Sequence, residues 1–125
     1  MVLYFIFYIL HYIPMLNQVL QEYGLSAKEA SLYLACLELG SAPVSSIARR
    51  LGENRVTTYS NLKNLVKRGI VNEKIKNKAM SYVVVPPQDL LDKLQKKYDL
   101  LKEKMPEFLA IASKYDNKPQ VQLFE

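Results

Sequence analysis

One cysteine, one histidine and four glycines occur among the 125 residues, and each shortage excludes a class of protein. Cys36, being alone, cannot close an internal disulfide, which excludes a secreted disulfide framework and makes a reducing cytoplasm the expected compartment. Its place inside an apolar helical pattern makes it a core thiol rather than a reactive one. His11 is equally alone, so no cluster is present to ligate a metal or to pair as a Cys/His nucleophile. There is no glycine-rich phosphate loop and no triad candidate, and the carboxylates are scattered along helical stretches as ordinary surface charges. The expectation is a protein that is not an enzyme and that carries no metal and no cofactor.

Acidic residues are scarce in one particular place. From Ser41 to Met80 the nine cations Arg49, Arg50, Arg55, Lys63, Lys67, Arg68, Lys74, Lys76 and Lys78 are opposed only by Glu53 and Glu73, a local excess of +7 in a chain of net charge +5. A positive field this local implies an anionic partner at the same surface.

Charged side chains are wholly missing from the opening stretch, MVLYFIFYILHYIPML, which is interrupted at Pro14. Its sixteen residues are fewer than the roughly 20 that span a bilayer. It also lacks the basic flank and small-residue cleavage site of a secretory signal. Residues 1–15 are therefore set apart as an apolar leader. The preferred reading is that translation starts at Met15, with a packed helix or a weak membrane anchor as alternatives, and no membrane partner is expected.

What is present is one core's worth of apolar residues, half of the chain, enough for a single small domain with an appendage. Gly24, Gly40, Gly52 and Gly69 each follow a stretch with helical periodicity, where a left-handed C-cap favours glycine. This punctuation predicts helices over Leu16–Tyr23, Ala27–Leu39, Val44–Leu51 and Asn54–Arg68. Ser26 and Glu29 have the spacing of a capping box. Ala30, Tyr33, Leu34 and Leu37 form one apolar face of the second helix, and Leu32, Cys36 and Leu39 form another. After Gly69, two β-rich runs, Ile70–Lys76 and Ser81–Val85, flank a polar turn and predict a hairpin closed by Pro86 and Pro87.

From Asp89 onward Leu91, Leu94, Tyr98, Leu101, Met105, Phe108, Ala112 and Tyr115 recur as a heptad seam, with a kink or break expected at Pro106. The flanking positions hold Gln95, Lys97, Lys102 and Lys104. In a parallel pair Lys97 would face Lys102 of the partner, which disfavours a simple zipper. The long helix is expected instead to pack on the second stripe of the Ala27 helix, in its own chain or in a partner's, with Leu91, Leu94, Tyr98, Leu101, Met105 and Phe108 serving dimerisation.

The order of elements predicts a mainly α fold with a small β-hairpin: a winged helix-turn-helix over residues 16–87, followed by a long helix over residues 88–115. In such an arrangement the second helix of the pair enters the major groove of DNA and the hairpin touches phosphate beside it. Projection of Asn54–Arg68 at helical pitch puts Tyr59, Leu62 and Val66 on the core side and Thr57, Ser60, Asn61, Asn64 and Arg68 opposite. Short hydrogen-bonding side chains suit base edges, and asparagine can address adenine in bidentate fashion. Arg49, Arg50, Lys63, Lys67, Arg68, Lys74, Lys76 and Lys78 are assigned to phosphate, which supplies affinity without sequence information. A winged helix can also act as a protein-interaction scaffold without specific DNA binding.

The stretch EYGLSAKEASLYLACLELGSAPVSSIARRLGENRVTTYSNLKNLVKRGIV and the later YVVVPPQDLLDKL resemble the amino-terminal domain of the TrmB-like archaeal and bacterial transcription regulators, over about Leu16 to Tyr115. The resemblance implies a regulator that binds operator DNA as a homodimer, with Arg55, Thr57, Thr58 and Asn61 near DNA. Together with Ser60 and Asn64 these are the expected base contacts. Pro43 stands where the family often has a capping threonine, and Asn54 where it often has proline. Many members continue into a sugar-binding effector domain. Residues 116–125 look like the start of such a domain, so a small-molecule effector is not expected to bind the present chain.

Overall fold

The computed structural model describes residues 1–114, with the side chains of Tyr8 and Ile9 excepted. Tyr115 and the tail at 116–125 lie outside the described residues. Five helices and one hairpin follow in order: α1 (Val2–Tyr23), α2 (Ala27–Leu39), α3 (Val44–Leu51), α4 (Arg55–Lys67), β1 (Val71–Lys76), β2 (Ala79–Val84) and α5 (Pro87–Lys114). The chain divides into two compact units at the Pro86–Pro87 junction.

In the first unit α2 is the central helix. Ser26 caps it as expected: its hydroxyl accepts from Glu29 N at 3.1 Å, and Glu29 Oε1 accepts from Ser26 N at 2.9 Å. Its burial differs from the expected stripes. Ala30 and Leu32–Cys36 are buried, whereas Leu37 and Leu39 are exposed. A helix packed by α1, α3, α4 and β2 is covered on most of its circumference until its last turn leaves the core. Burial pushes the Cys36 thiol up to about 12, so it stays protonated and inert at neutral pH, as a core cysteine should.

The first helix begins at Val2 rather than Leu16 and runs through Pro14 without interruption. Proline removes one ladder donor, yet its fixed φ is itself helical, so a single lost bond need not end a helix. At 22 residues and mean hydropathy 1.4 over its apolar window, α1 is long and apolar enough to cross a membrane by length and composition, where the leader alone falls short. Its last turns, however, belong to the folded domain: Leu20 is buried, and Asn17 Nδ2 donates to Ser31 Oγ on α2 at 2.9 Å.

Helices α3 and α4 form the helix-turn-helix. Gly52, at φ 66°, ends α3 in the left-handed region. Asn54 then caps α4, its Oδ1 accepting from Val56 N at 2.7 Å and Thr57 N at 3.3 Å. Asparagine thus serves where proline was the family expectation, by satisfying donors that proline would leave to solvent. Pro43 supplies no side-chain cap to α3.

The hairpin pairs antiparallel from Val71 opposite Val84 to Lys76 opposite Ala79. Its two-residue turn, Asn77-Lys78, has φ of 53° and 65°, the positive pair that matches strand twist in a tight hairpin. A third segment joins it: Ala42 exchanges backbone bonds with Tyr82 at 3.1 and 2.8 Å. That bridge seats the hairpin on the helix-turn-helix and was not foreseen in the sequence.

The second unit is α5. It starts with proline at its first position, which suits a helix N-terminus, and continues through Pro106 where a break was expected. All six seam residues from Leu91 to Phe108 are exposed.

Candidate nucleic-acid interface

The buried side of α4 sets what its other side can present. Thr58, Leu62 and Leu65 are buried, one helical stripe turned by roughly 60° from the projected one. Tyr59 and Val66, expected in the core, lie at its edge; Tyr59 is 47% exposed and Val66 half-buried. The projection failed because it ranked apolar residues for burial and so passed over Thr58, which only the family resemblance had set near DNA.

Thr58 is fully buried and is removed from the base-contact set. Its Oγ1 lies 2.8 Å from Glu53 Oε1 and 2.9 Å from the Asn54 carbonyl. The hydroxyl thereby satisfies itself inside the core and ties the helix to the turn that precedes it, which is what a buried hydroxyl requires. Arg55, Thr57, Ser60 and Asn64 are exposed, and Asn61 is half-buried on the flank of the buried stripe. Thr57, Ser60 and Asn64 follow at helical spacing on the outward side, with Val56 and Lys67 beside them.

The cations divide into two groups. Arg50 Nη2 contacts Glu38 Oε1 at 2.7 Å, Lys63 Nζ contacts Glu73 Oε2 at 2.6 Å, and Arg68 Nη1 contacts Glu29 Oε1 at 3.1 Å. Arg68 also donates to the Gly24 carbonyl at 3.0 Å, so it fastens the end of α4 to the α1–α2 turn. Its assignment to the DNA-facing side of the helix is corrected accordingly. Lys63 lies over the Tyr59 ring at 5.8 Å from the centroid. Its hydrogen bond to Glu73 holds the ammonium above the ordinary lysine range. The same bond holds the Glu73 carboxyl below the ordinary carboxylate range. Burial, and then the charge on Glu73, raises the Tyr82 phenol. Lys63, Glu73 and Tyr82 therefore lock the hairpin to α4.

Arg49, Arg55, Lys67, Lys74, Lys76 and Lys78 are exposed and form no ion pair among the described residues. Lys74 and Lys76 share one face of the hairpin, because alternate strand residues point the same way, and Lys78 sits at its tip. The surface thus combines three elements: a rigid helix with uncharged polar groups outward, two arginines and a lysine around it, and a cationic wing beside it. No group of three or more His, Cys, Asp or Glu side chains is placed to hold a metal among the described residues.

Sequence reasoning missed the apolar component of this surface. Val56 is 75% exposed at the start of α4, and on the hairpin Ile75 and its cross-strand partner Met80 are 76% and 42% exposed. An exposed valine carries no periodic signal that separates it from a core valine, and only the true rotation of α4 reveals it.

Two comparisons, with family models and with solved structures, find known proteins similar to this chain. The family model for the sugar-specific transcriptional regulator TrmB matches residues 20–88. No curated protein matches the chain. Among solved structures, TrmBL2, described as an archaeal chromatin protein with a novel mode of DNA binding, superimposes with a TM-score of 0.71 at 22% identity over 90% of this chain. The present chain spans 44% of the length of that protein. The multiple antibiotic resistance repressor MarR gives a TM-score of 0.51 at 14% identity, covering 82% of this chain and 85% of MarR. A MarR family transcriptional regulator from Silicibacter pomeroyi DSS gives 0.51 at 19% identity, covering 99% and 81%. These likenesses establish the winged-helix fold. With its family match extending over more than half of the sequence, the chain belongs to the TrmB family of sugar-specific transcriptional regulators.

Proposed function

We propose that the chain is a sequence-specific, double-stranded DNA-binding transcription regulator of the cytoplasm, with α4 as its recognition helix. The observation that carries this reading is the outward side of α4, where Arg55, Thr57, Ser60 and Asn64 are exposed while Thr58, Leu62 and Leu65 hold the helix rigidly from behind. Residues at the start of a recognition helix meet base edges, and threonine, serine and asparagine carry the donors and acceptors that distinguish them. Asn61, on the flank, adds a further contact at the groove edge. Arg49, Lys67, Lys74, Lys76 and Lys78 contact phosphate and set the register of α4 without reading sequence. The cations already paired with carboxylates contribute less.

A second copy completes the binding unit. The seam of Leu91, Leu94, Tyr98, Leu101, Met105 and Phe108 is an exposed apolar stripe along α5, and it would be covered by an apolar surface of the partner chain rather than by a simple parallel zipper, in which Lys97 would face Lys102 of the partner. A two-fold dimer would set two recognition helices against the half-sites of a palindromic operator.

Titration of duplex DNA at two salt concentrations tests the reading. If Arg49, Lys67, Lys74, Lys76 and Lys78 all reach phosphate, the logarithm of affinity falls against the logarithm of salt with a slope approaching about −4.5 per chain. Absence of binding near 50 mM salt, a low ionic strength at which phosphate contacts are strongest, would favour a protein-interaction scaffold instead.

A further inference from the structure

We propose that Val56 reads thymine, packing its side chain against the 5-methyl group of a thymine in the major groove. The proposal rests on α4 being the DNA-reading helix. Val56 lies in the first turn of α4, adjacent to Thr57 and one helical turn from Ser60, and is 75% exposed. Local stability does not require valine there. A β-branched residue loses rotamer freedom in a helix, and at this exposure it recovers almost nothing by burial.

The surroundings specify the partner. A groove of about 380 Å³ runs from Val56 between α4 and β2, with Val44, Tyr59, Ala79 and Met80 supplying apolar walls and Arg55 a cation. Arg55 has no carboxylate partner among the described residues. An apolar protein surface docked here would strip water from that guanidinium without replacing it, which is unfavourable. Duplex DNA offers both chemistries side by side: phosphate or a guanine edge for Arg55, and the thymine methyl, the apolar group that the major groove displays. The apolar strip is also continuous with the polar row of Thr57, Ser60 and Asn64, so one approach of the helix brings both to base edges.

The test uses the full chain and duplexes it selects from a random pool. Each thymine of a selected site is replaced in turn by deoxyuridine, which lacks only the methyl group, and affinities are measured for the unmodified protein and for Val56→Ala. At one or more positions the replacement should weaken the unmodified protein roughly fourfold, the factor expected for one methyl returned to water. The same replacement should leave Val56→Ala unchanged. Alanine is the better helix former, so this variant should melt no lower than the unmodified protein. Val56→Thr keeps the shape while turning one methyl into a hydroxyl, and should show a reduced sensitivity to the same base. Equal sensitivity in all three proteins, or none at any thymine, overturns the assignment of Val56 while leaving DNA binding intact. Failure to select any duplex overturns both.

Discussion

Thr57 and Thr58 are adjacent, of the same type, and belong to opposite regions of the domain. Thr58 faces inward with Leu62 and Leu65, its hydroxyl held by Glu53 and the Asn54 carbonyl. Thr57 faces outward with Ser60 and Asn64. The inward side of α4 determines where the helix is, and the outward side determines what it meets. The difference teaches that composition alone cannot tell the packed side of such a helix from its exposed side, since both sides contain threonine.

The two sides should respond separately to substitution. The largest effect belongs to the inward side: Leu62→Ala or Leu65→Ala should destabilise the fold by about 2–5 kcal/mol in chemical denaturation, since each empties a fully buried site. Next comes the wing. Replacing Lys74, Lys76 and Lys78 together by glutamine should reduce the magnitude of the salt slope by up to about 3, whereas Arg50→Gln or Arg68→Gln should alter it by less than about 1, because each is already paired with a carboxylate. Fluorescence anisotropy over a salt series reads both. Should Arg50→Gln match the effect of a wing lysine, the division of the cations into two groups would be wrong.

A smaller effect is expected for Thr58→Val. Removing the hydroxyl while keeping the shape should lower stability by about 1 kcal/mol, with Thr57→Val remaining within about 0.5 kcal/mol of the parent. The smallest concerns pH. The Glu73 carboxyl is held below its ordinary range by Lys63, so its contribution is complete above the unfolded-state value and is lost as pH falls through the lower, folded one. Hydrogen exchange of the β1–β2 amides should therefore speed up, relative to the rest of the domain, in acid below the usual carboxylate range. Glu73→Gln should remove that step.

Much of this framework is legible in the residues. Glycine at a helix end has a local cause, a backbone of positive φ that other residues adopt only at a cost, so the ends of α2 and α3 follow from Gly40 and Gly52. The Ser26–Glu29 box is equally local. The rotation of α4 is not, because Thr58 is buried by virtue of partners that only the folded turn supplies, while Val56 and Tyr59 carry apolar chemistry to the surface. Pairings such as Arg68 with Glu29, thirty-nine residues apart, follow no local pattern, so charge counted along the sequence overstated the free cations at the interface. The single Ala42–Tyr82 bridge is too short to have a period. Pro14 and Pro106 misled in the opposite direction, since each removes one backbone donor from a helix long enough to continue without it.

The most direct test compares Asn64→Ala with the unmodified protein on a selected duplex and on a scrambled one of equal length. Loss of a base-reading contact should weaken binding to the selected duplex roughly tenfold or more, with binding to the scrambled duplex and the melting temperature both unchanged. An equal loss on the two duplexes, or none on either, would contradict the assignment of the outward side of α4 to sequence recognition.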